Sequence, residues 1–245
     1  MKLVIFSGTT EGRALSVRMA EAGAEVTVCV ATDYGSEEQP AHPGIRTRVG
    51  PLTAREKQAL LRGAALCVDA THPYATHVTR SVREACRAAG VPYDRLLRAP
   101  SEIEGAHIVE SAAEAAAYLS AFPGNILLTT GAKELGAYAR LDPERLYPRV
   151  LPSHAALDAC EALGIPHRNI IAMQGPFSRE LNEALLRQYE IAYLVTKDGG
   201  APGGFPEKAT AARATGAQLV VLRRPAETGH SFEQVLKRCL AALDA

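Results

Sequence analysis

The chain has 245 residues, 47% hydrophobic and 22% charged, enough for one large domain or two modest ones with packed cores. Lysine plus arginine equals aspartate plus glutamate at 27 each, so the net charge is zero. That balance argues against a general binder of nucleic acid or membrane surface, because neutralising phosphates takes a basic excess; a small polyanion could still be met by local basic clusters.

Five cysteines, at 29, 67, 86, 160 and 239, are scattered, odd in number and free of any C-x-x-C pair. This fits buried thiols in a reducing compartment better than a disulfide frame or a zinc site. The apolar run 3–6 is too short for the core of a secretion signal, and no run of about 18 apolar residues occurs. A cytoplasmic protein without membrane contact is expected.

In chain order, continuous apolar runs at 3–6, 26–30, 66–70, 126–129, 192–196 and 218–222 read as strands covered on both faces by helices. Amphipathic segments lie between them: Leu15, Met19 and Ala22 keep helical spacing, as do Val78, Val82, Ala85 and Ala89. Gly23, Gly90, Gly164 and Gly216 each stand where a helix should stop. The alternation predicts an α/β protein with doubly wound, Rossmann-like parallel sheets. The rhythm breaks at 98–102 after about three βα units, and a second series starts near His107. Two lobes are expected, 1–99 and 100–245, with a cleft between them and with terminal elements free to cross from one to the other.

The first predicted strand runs into Ser7-Gly8-Thr9-Thr10-Glu11-Gly12-Arg13 and then a helix. A glycine turn and a helix N-terminus form a ready anion site, usually for a pyrophosphate, and the two threonines would add hydroxyl donors. Thr10 replaces the second glycine of the G-x-G-x-x-G pattern, so a plain turn with a helix cap is the competing reading. If the threonines cradle phosphate, valine at both positions should weaken nucleotide binding and barely touch the fold. The second strand ends at Ala31-Thr32-Asp33-Tyr34-Gly35, where Asp33 could accept a ribose hydroxyl or simply end the strand. The third edge, Asp69-Ala70-Thr71-His72-Pro73-Tyr74-Ala75, offers Thr71 and Tyr74 to a cofactor. His72 is a candidate catalytic group or a turn former, and its spacing to His77 does not suit a metal.

Further along, three strand ends carry glycine and hydroxyl groups, 129–135, 172–178 and 196–200, the first and last with a lysine as well and the last continuing to Glu207-Lys208. Lys133, Lys197 and Lys208 would give a positive edge for an anionic substrate. Tyr193 and Lys197 spell the Y-x-x-x-K of short-chain dehydrogenases, but they fall on a predicted strand, where four residues span about 13 Å, too far to act on one atom. That reading is rejected.

Taken together, GTTEGR at 8–13, ATDYG at 31–35, DATHPYA at 69–75, TGAKEL at 130–135, IAMQGPFSRELN at 171–182, TKDGG at 196–200 and GGFPEK at 203–208 resemble the precorrin-6A and cobalt-precorrin-6A reductase family over nearly the whole chain. The resemblance implies reduction of one macrocycle double bond in cobalamin biosynthesis by NADPH or NADH. It implies cofactor binding by Gly8, Thr9, Thr10, Glu11, Thr32, Asp33, Asp69, Thr71 and Tyr74. Lys133, Ser178, Lys197, Asp198 and Lys208 would hold the carboxylates of the tetrapyrrole substrate. No metal ligand, nucleic acid or membrane partner is implied. Two departures stand out: Gly199 occupies a position where the family usually has serine, and Gly12 stands where many members carry alanine, a change expected to cost little beyond helix propensity. The rivals are another nicotinamide-dependent reductase with a smaller anionic substrate, and a non-catalytic nucleotide- or tetrapyrrole-binding module.

Overall fold

A computed structural model describes residues 1–98, 101 and 104–244. It divides into two compact units, Met1–Ala99 with Pro225–Ala245, and Pro100–Arg224. Within the stretch expected as the second lobe, everything from Pro225 onward groups with the first unit, a crossing of a terminal element that the expectation allowed. The expected break at 99 and 100 lies outside the described residues.

The first unit runs β1 (Lys2–Phe6), α1 (Thr10–Glu21), β2 (Glu25–Val30), α2 (Asp33–Glu37), β3 (Ile45–Val49), α3 (Ala54–Leu61), β4 (Leu66–Asp69), α4 (Thr76–Ala89) and β5 (Tyr93–Arg95). Its sheet is parallel throughout, in the order β3-β2-β1-β4-β5. The direction of winding reverses between β1 and β4, so the loops that leave these two strands flank the sheet's switch point. Strand β1 is buried on both faces: Leu3 and Ile5 pack toward α1, Val4 and Phe6 toward α3 and α4. Strand β3 was not predicted, because Arg46 and Arg48 interrupt its apolar residues. Half-polar alternation of that kind suits an edge strand.

The second unit runs β6 (His107–Val109), α5 (Ala112–Ser120), β7 (Asn125–Leu128), a 3-10 helix over Ala132–Tyr138, β8 (Leu146–Val150), α6 (His154–Glu161), β9 (Ile171–Ala172), α7 (Arg179–Gln188), β10 (Ile191–Lys197), α8 (Phe205–Thr215) and β11 (Gln218–Leu222). The strands pair in the order β6-β11-β10-β7-β8-β9, again all parallel. Here the switch point lies between β7 and β10. Helices α7 and α8 cover one face through Leu186, Phe205, Ala211 and Ala212, packed on Leu127, Leu194, Leu219 and Val221. Gly90 and Gly216 close α4 and α8 in the left-handed conformation, φ 67° and 76°, as their positions predicted.

After β11 the chain returns to the first unit as α9 (Phe232–Leu243). Val235, Leu236 and Cys239 of α9 join Leu15 and Met19 of α1 over β1, β2 and β4. Without α9 one face of that sheet would keep an apolar area in water, which explains why the C-terminal residues belong here. Among the described residues, no helix is long and apolar enough to cross a membrane. Leu236→Ala is expected to lower folding stability by about 2–5 kcal/mol. A fall in the urea midpoint followed by circular dichroism checks this, and an unchanged midpoint would remove α9 from the first unit's core.

Candidate functional site

The turn after β1 is built by Thr9. Its side chain caps α1, accepting from Gly12 N at 3.1 Å, and donates to Ala70 O beyond β4 at 2.8 Å. One buried hydroxyl therefore fixes the loop to the helix and to the loop across the switch point. The expectation that Thr9 offers a spare donor to phosphate, and that valine there would barely touch the fold, is corrected on this ground. Thr10 is exposed, and its hydroxyl accepts from Arg13 Nη2 at 3.3 Å. Glu11 accepts from Arg98 Nη2 at 2.6 Å, which offsets its negative charge at the helix N-terminus. At Gly8 a Cβ would meet nothing nearer than His72 N at 3.9 Å, so the turn is open to close approach. Gly12 is the opposite case: a Cβ would stand 2.6 Å from Ser7 Oγ and 2.8 Å from Ala70 Cβ. Alanine at position 12 would therefore crowd both neighbours, so the glycine here costs helix propensity but relieves a close approach. Ser7 Oγ is buried, with no hydrogen-bond partner among the described residues.

Strand β2 stops at Val30, the end of the predicted run, and Thr32 then caps the short helix α2 by accepting from Gly35 N at 3.2 Å. Asp33 thus sits exposed in the first turn of a helix and not at a strand end. Beyond β4, Asp69 is fully enclosed. Its carboxylate accepts from Thr71 N at 3.0 Å, Thr71 Oγ1 at 2.7 Å, Tyr93 OH at 3.0 Å and Arg95 Nη1 at 3.3 Å. Asp69 consequently shapes the loop, and Thr71, its hydroxyl tied to Asp69, keeps its place on the cavity lining. Burial, then the charge of Asp69, raises the Tyr93 hydroxyl well above its ordinary range. His72 and Tyr74 are half-buried with ring centroids 5.5 Å apart.

A cavity of about 280 Å³ opens at the C-terminal ends of β1 to β4. Phe6, Cys29, Val30, Leu52, Ala75 and Val78 give it apolar walls, Ser7 and Gly8 form one rim, and Thr71 and His72 another. Lys57 of α3 also lines it. Burial pushes the Cys29 thiol up to about 12, so that wall is uncharged at neutral pH.

In the second unit Lys197, at the end of β10, reaches across the switch point to Glu134 Oε1 at 2.6 Å and Thr130 O at 3.2 Å. Lys133 is exposed beside that pair. Asp198 is buried and accepts from Ser101 Oγ at 2.7 Å, Gly200 N at 3.1 Å and Arg224 Nη2 at 3.2 Å. It therefore ties Ser101 and Arg224 to β10, and the expected substrate contact is corrected to a scaffold role. Ser178 caps α7, its hydroxyl accepting from Leu181 N at 3.3 Å. Lys208 is buried on α8; burial, then the neighbouring charge of Arg149, draws its ammonium down to about 8. A Cβ at Gly199 would approach Gly203 Cα to 3.3 Å, so the glycine there accompanies a tight loop. Tyr193 and Lys197 lie on one strand, in keeping with the rejected dehydrogenase pairing.

Sequence reasoning missed three groups. Arg149 at the end of β8 is buried, donates to Asn182 Oδ1 at 2.8 Å and lies 4.0 Å over the Phe177 ring; burial draws it down to about 10. Its signal was a charge inside a short apolar run. Lys57 shares the apolar stripe of α3 with Leu61, four residues on, and that spacing was legible. Arg95 alone had no signal, because its carboxylate partners come from β4 and from the returning chain at Glu227. Among the described residues no group of three or more His, Cys, Asp or Glu side chains could hold a metal ion.

Comparison with known proteins gives one family. The model described as precorrin-6x reductase CbiJ/CobK matches residues 2–240. A cobalt-precorrin-6A reductase of Methanothermobacter thermautotrophicus is 36% identical over 92% of this chain and 77% of its own length. Another of that name from Priestia megaterium is 34% identical over 91% and 90%. A precorrin-6A reductase of Rhodococcus erythropolis is 31% identical over 91% and 89%. A solved structure titled CobK precorrin-6A reductase shares the fold, with a TM-score of 0.78 at 24% identity over 99% of this chain and 97% of the other.

Gly12→Ala is expected to destabilise by about 1–3 kcal/mol despite the better helix former, because Ser7 and Ala70 must move; an urea midpoint equal to wild type would contradict the close approach. Lys208 adds a pH signature. Its folded value lies below the ordinary lysine value, so the unfolded chain binds more protons between about pH 8 and 10.5 and stability from this group rises with pH in that window. Comparing wild type with Lys208→Met across the window should show the wild type gaining relative stability. A flat difference would mean the ammonium is solvated.

Proposed function

The chain belongs to the precorrin-6x reductase CbiJ/CobK family, and from that premise we propose that it reduces one double bond of precorrin-6A, in the cobalt-bearing form, with a nicotinamide dinucleotide as reductant. It is a reductase of cobalamin biosynthesis. When bound, the dinucleotide supplies the hydride, and the neighbouring carbon takes a proton from water or a substrate carboxylate, so no protein acid is assigned.

The observation that carries this reading is the first unit's switch-point cavity, with Gly8 open on its rim and an unpartnered buried hydroxyl, Ser7 Oγ, in the same turn. Both features fit a dinucleotide whose pyrophosphate lies over the N-terminus of α1. In this reading Gly8, Thr10 and the backbone of Thr9 and Glu11 hold the phosphates. Thr32, Asp33 and Tyr74 lie along the sugar and base path, with Asp69 and Thr71 setting the shape of the loop beneath. His72 lines the cavity and keeps the turn. In the second unit, Lys133 and Lys197 attract substrate carboxylates, with Lys208 and Arg149 as buried positive charge behind them and Ser178 fixing the start of α7. The ion pair to Glu134 keeps Lys197 extended until a substrate carboxylate competes for it.

Incubation of cobalt-precorrin-6A with NADPH or NADH should change the macrocycle's visible spectrum as the cofactor is consumed, faster than with the metal-free compound. No spectral change with any of the four combinations would overturn the proposal. Lys197→Met should raise the substrate KM about tenfold, the loss of one charge-assisted contact, with cofactor affinity unchanged. An equal loss of cofactor affinity would place Lys197 elsewhere.

A further inference from the structure

Lys57 is an unusual wall for an apolar cavity. Only 9% of it is exposed, and its ammonium donates to Ser81 Oγ on α4 at 2.6 Å. Among the described residues no carboxylate is ion-paired to it. The neighbouring Glu56 is turned to its own helix cap, accepting from Thr53 N at 2.8 Å and Thr53 Oγ1 at 2.7 Å. Burial lowers the Lys57 ammonium from its ordinary value. A buried cation without a counter-charge weakens the unliganded fold. One of its three N–H donors is taken by Ser81, and the residue lines a space walled by Cys29, Leu52, Ala75 and Val78.

We propose that this cavity is the site of a purine base, the adenine of the dinucleotide, and that Lys57 recognises it by donating to a ring nitrogen. The inference rests on the cofactor reading above and adds to it a residue and a specificity. A flat heteroaromatic ring suits apolar walls, and ring nitrogens accept hydrogen bonds without carrying charge. A phosphate needs several converging donors, and here Ser7, Thr71 and His72 stand on the rims while Lys57 is the one charged group among the apolar walls of the lining. Position agrees: the cavity lies at the ends of β1, β2, β3 and β4, beside the glycine turn that would hold the pyrophosphate.

The test is calorimetric titration of the full chain, wild type and Lys57→Met, with adenosine 5′-monophosphate, adenosine 2′,5′-bisphosphate, nicotinamide mononucleotide and NADPH. The variant should bind the monophosphate and the bisphosphate about tenfold more weakly, by one common factor, with the nicotinamide mononucleotide unaffected. Without ligand, its Tm should equal or exceed that of wild type, since a buried unpaired ammonium is gone. Equal monophosphate affinity in both proteins overturns the proposal. So does a loss confined to the bisphosphate, which would make Lys57 a phosphate reader, and so does a lower Tm, which would make it structural. If NADPH fails to bind wild type, the cofactor reading itself falls; if NADPH binds both proteins alike, only the adenine site does.

Discussion

A carboxylate buried at the end of a central strand must be neutralised where it sits, and the first unit is arranged around that requirement. Asp69 has no access to water, so Arg95 on the neighbouring β5 provides its counter-charge, and Tyr93 and Thr71 complete its hydrogen bonds. Arg95 also donates to Asp69 O at 3.0 Å and Thr71 O at 2.9 Å, and pairs with Glu227 at 2.8 Å. One guanidinium thus fixes the loop after β4 and anchors the returning chain. Removing either partner would strand a buried charge, at about 3–5 kcal/mol. The loop that rims the cavity is held by this network from below.

The second unit uses the same device with different residues. Asp198, at the end of β10, is as deeply buried as Asp69, and Arg224 neutralises it while Ser101 and Gly200 N fill its remaining acceptor positions. Ser101 and Arg224 stand near the two ends of this unit's chain segment. The carboxylate therefore closes the unit on itself and at the same time fixes the turn after Lys197. In both units the buried carboxylate at a strand end is scaffold, while Gly8 and Lys133 are left exposed.

Hydroxyls follow a similar division. Thr9, Thr32 and Ser178 each cap a helix, which satisfies backbone donors that would otherwise be left open. Such a residue at a strand-to-helix turn reads equally well as a ligand donor or a cap, since both depend on the same local geometry. Ser7 differs because its hydroxyl is buried with no partner among the described residues. Lys57 differs because its charge is buried with no counter-ion among the described residues. Unmet polar capacity inside a well-packed wall is what separates a group that waits for a ligand from one that finishes the fold.

The chain itself determined the parallel α/β class, because continuous apolar runs alternating with 3.6-period segments have few other solutions, and it marked the strand-end segments from which both candidate edges are built. It located the helix stops at Gly90 and Gly216, since a left-handed residue is a local demand. Tertiary structure alone decided which of the marked residues face a ligand. Asp69 and Asp198 are turned inward by partners distant in sequence, 24 to 97 positions away for Tyr93, Arg95 and Ser101, and no local pattern encodes such partners. The crowding at Gly12 likewise depends on Ala70 arriving from β4, and the return of α9 depends on an apolar sheet face that only exists once the strands have paired. Local rules speak through neighbours in sequence; burial and charge pairing are set by neighbours in space.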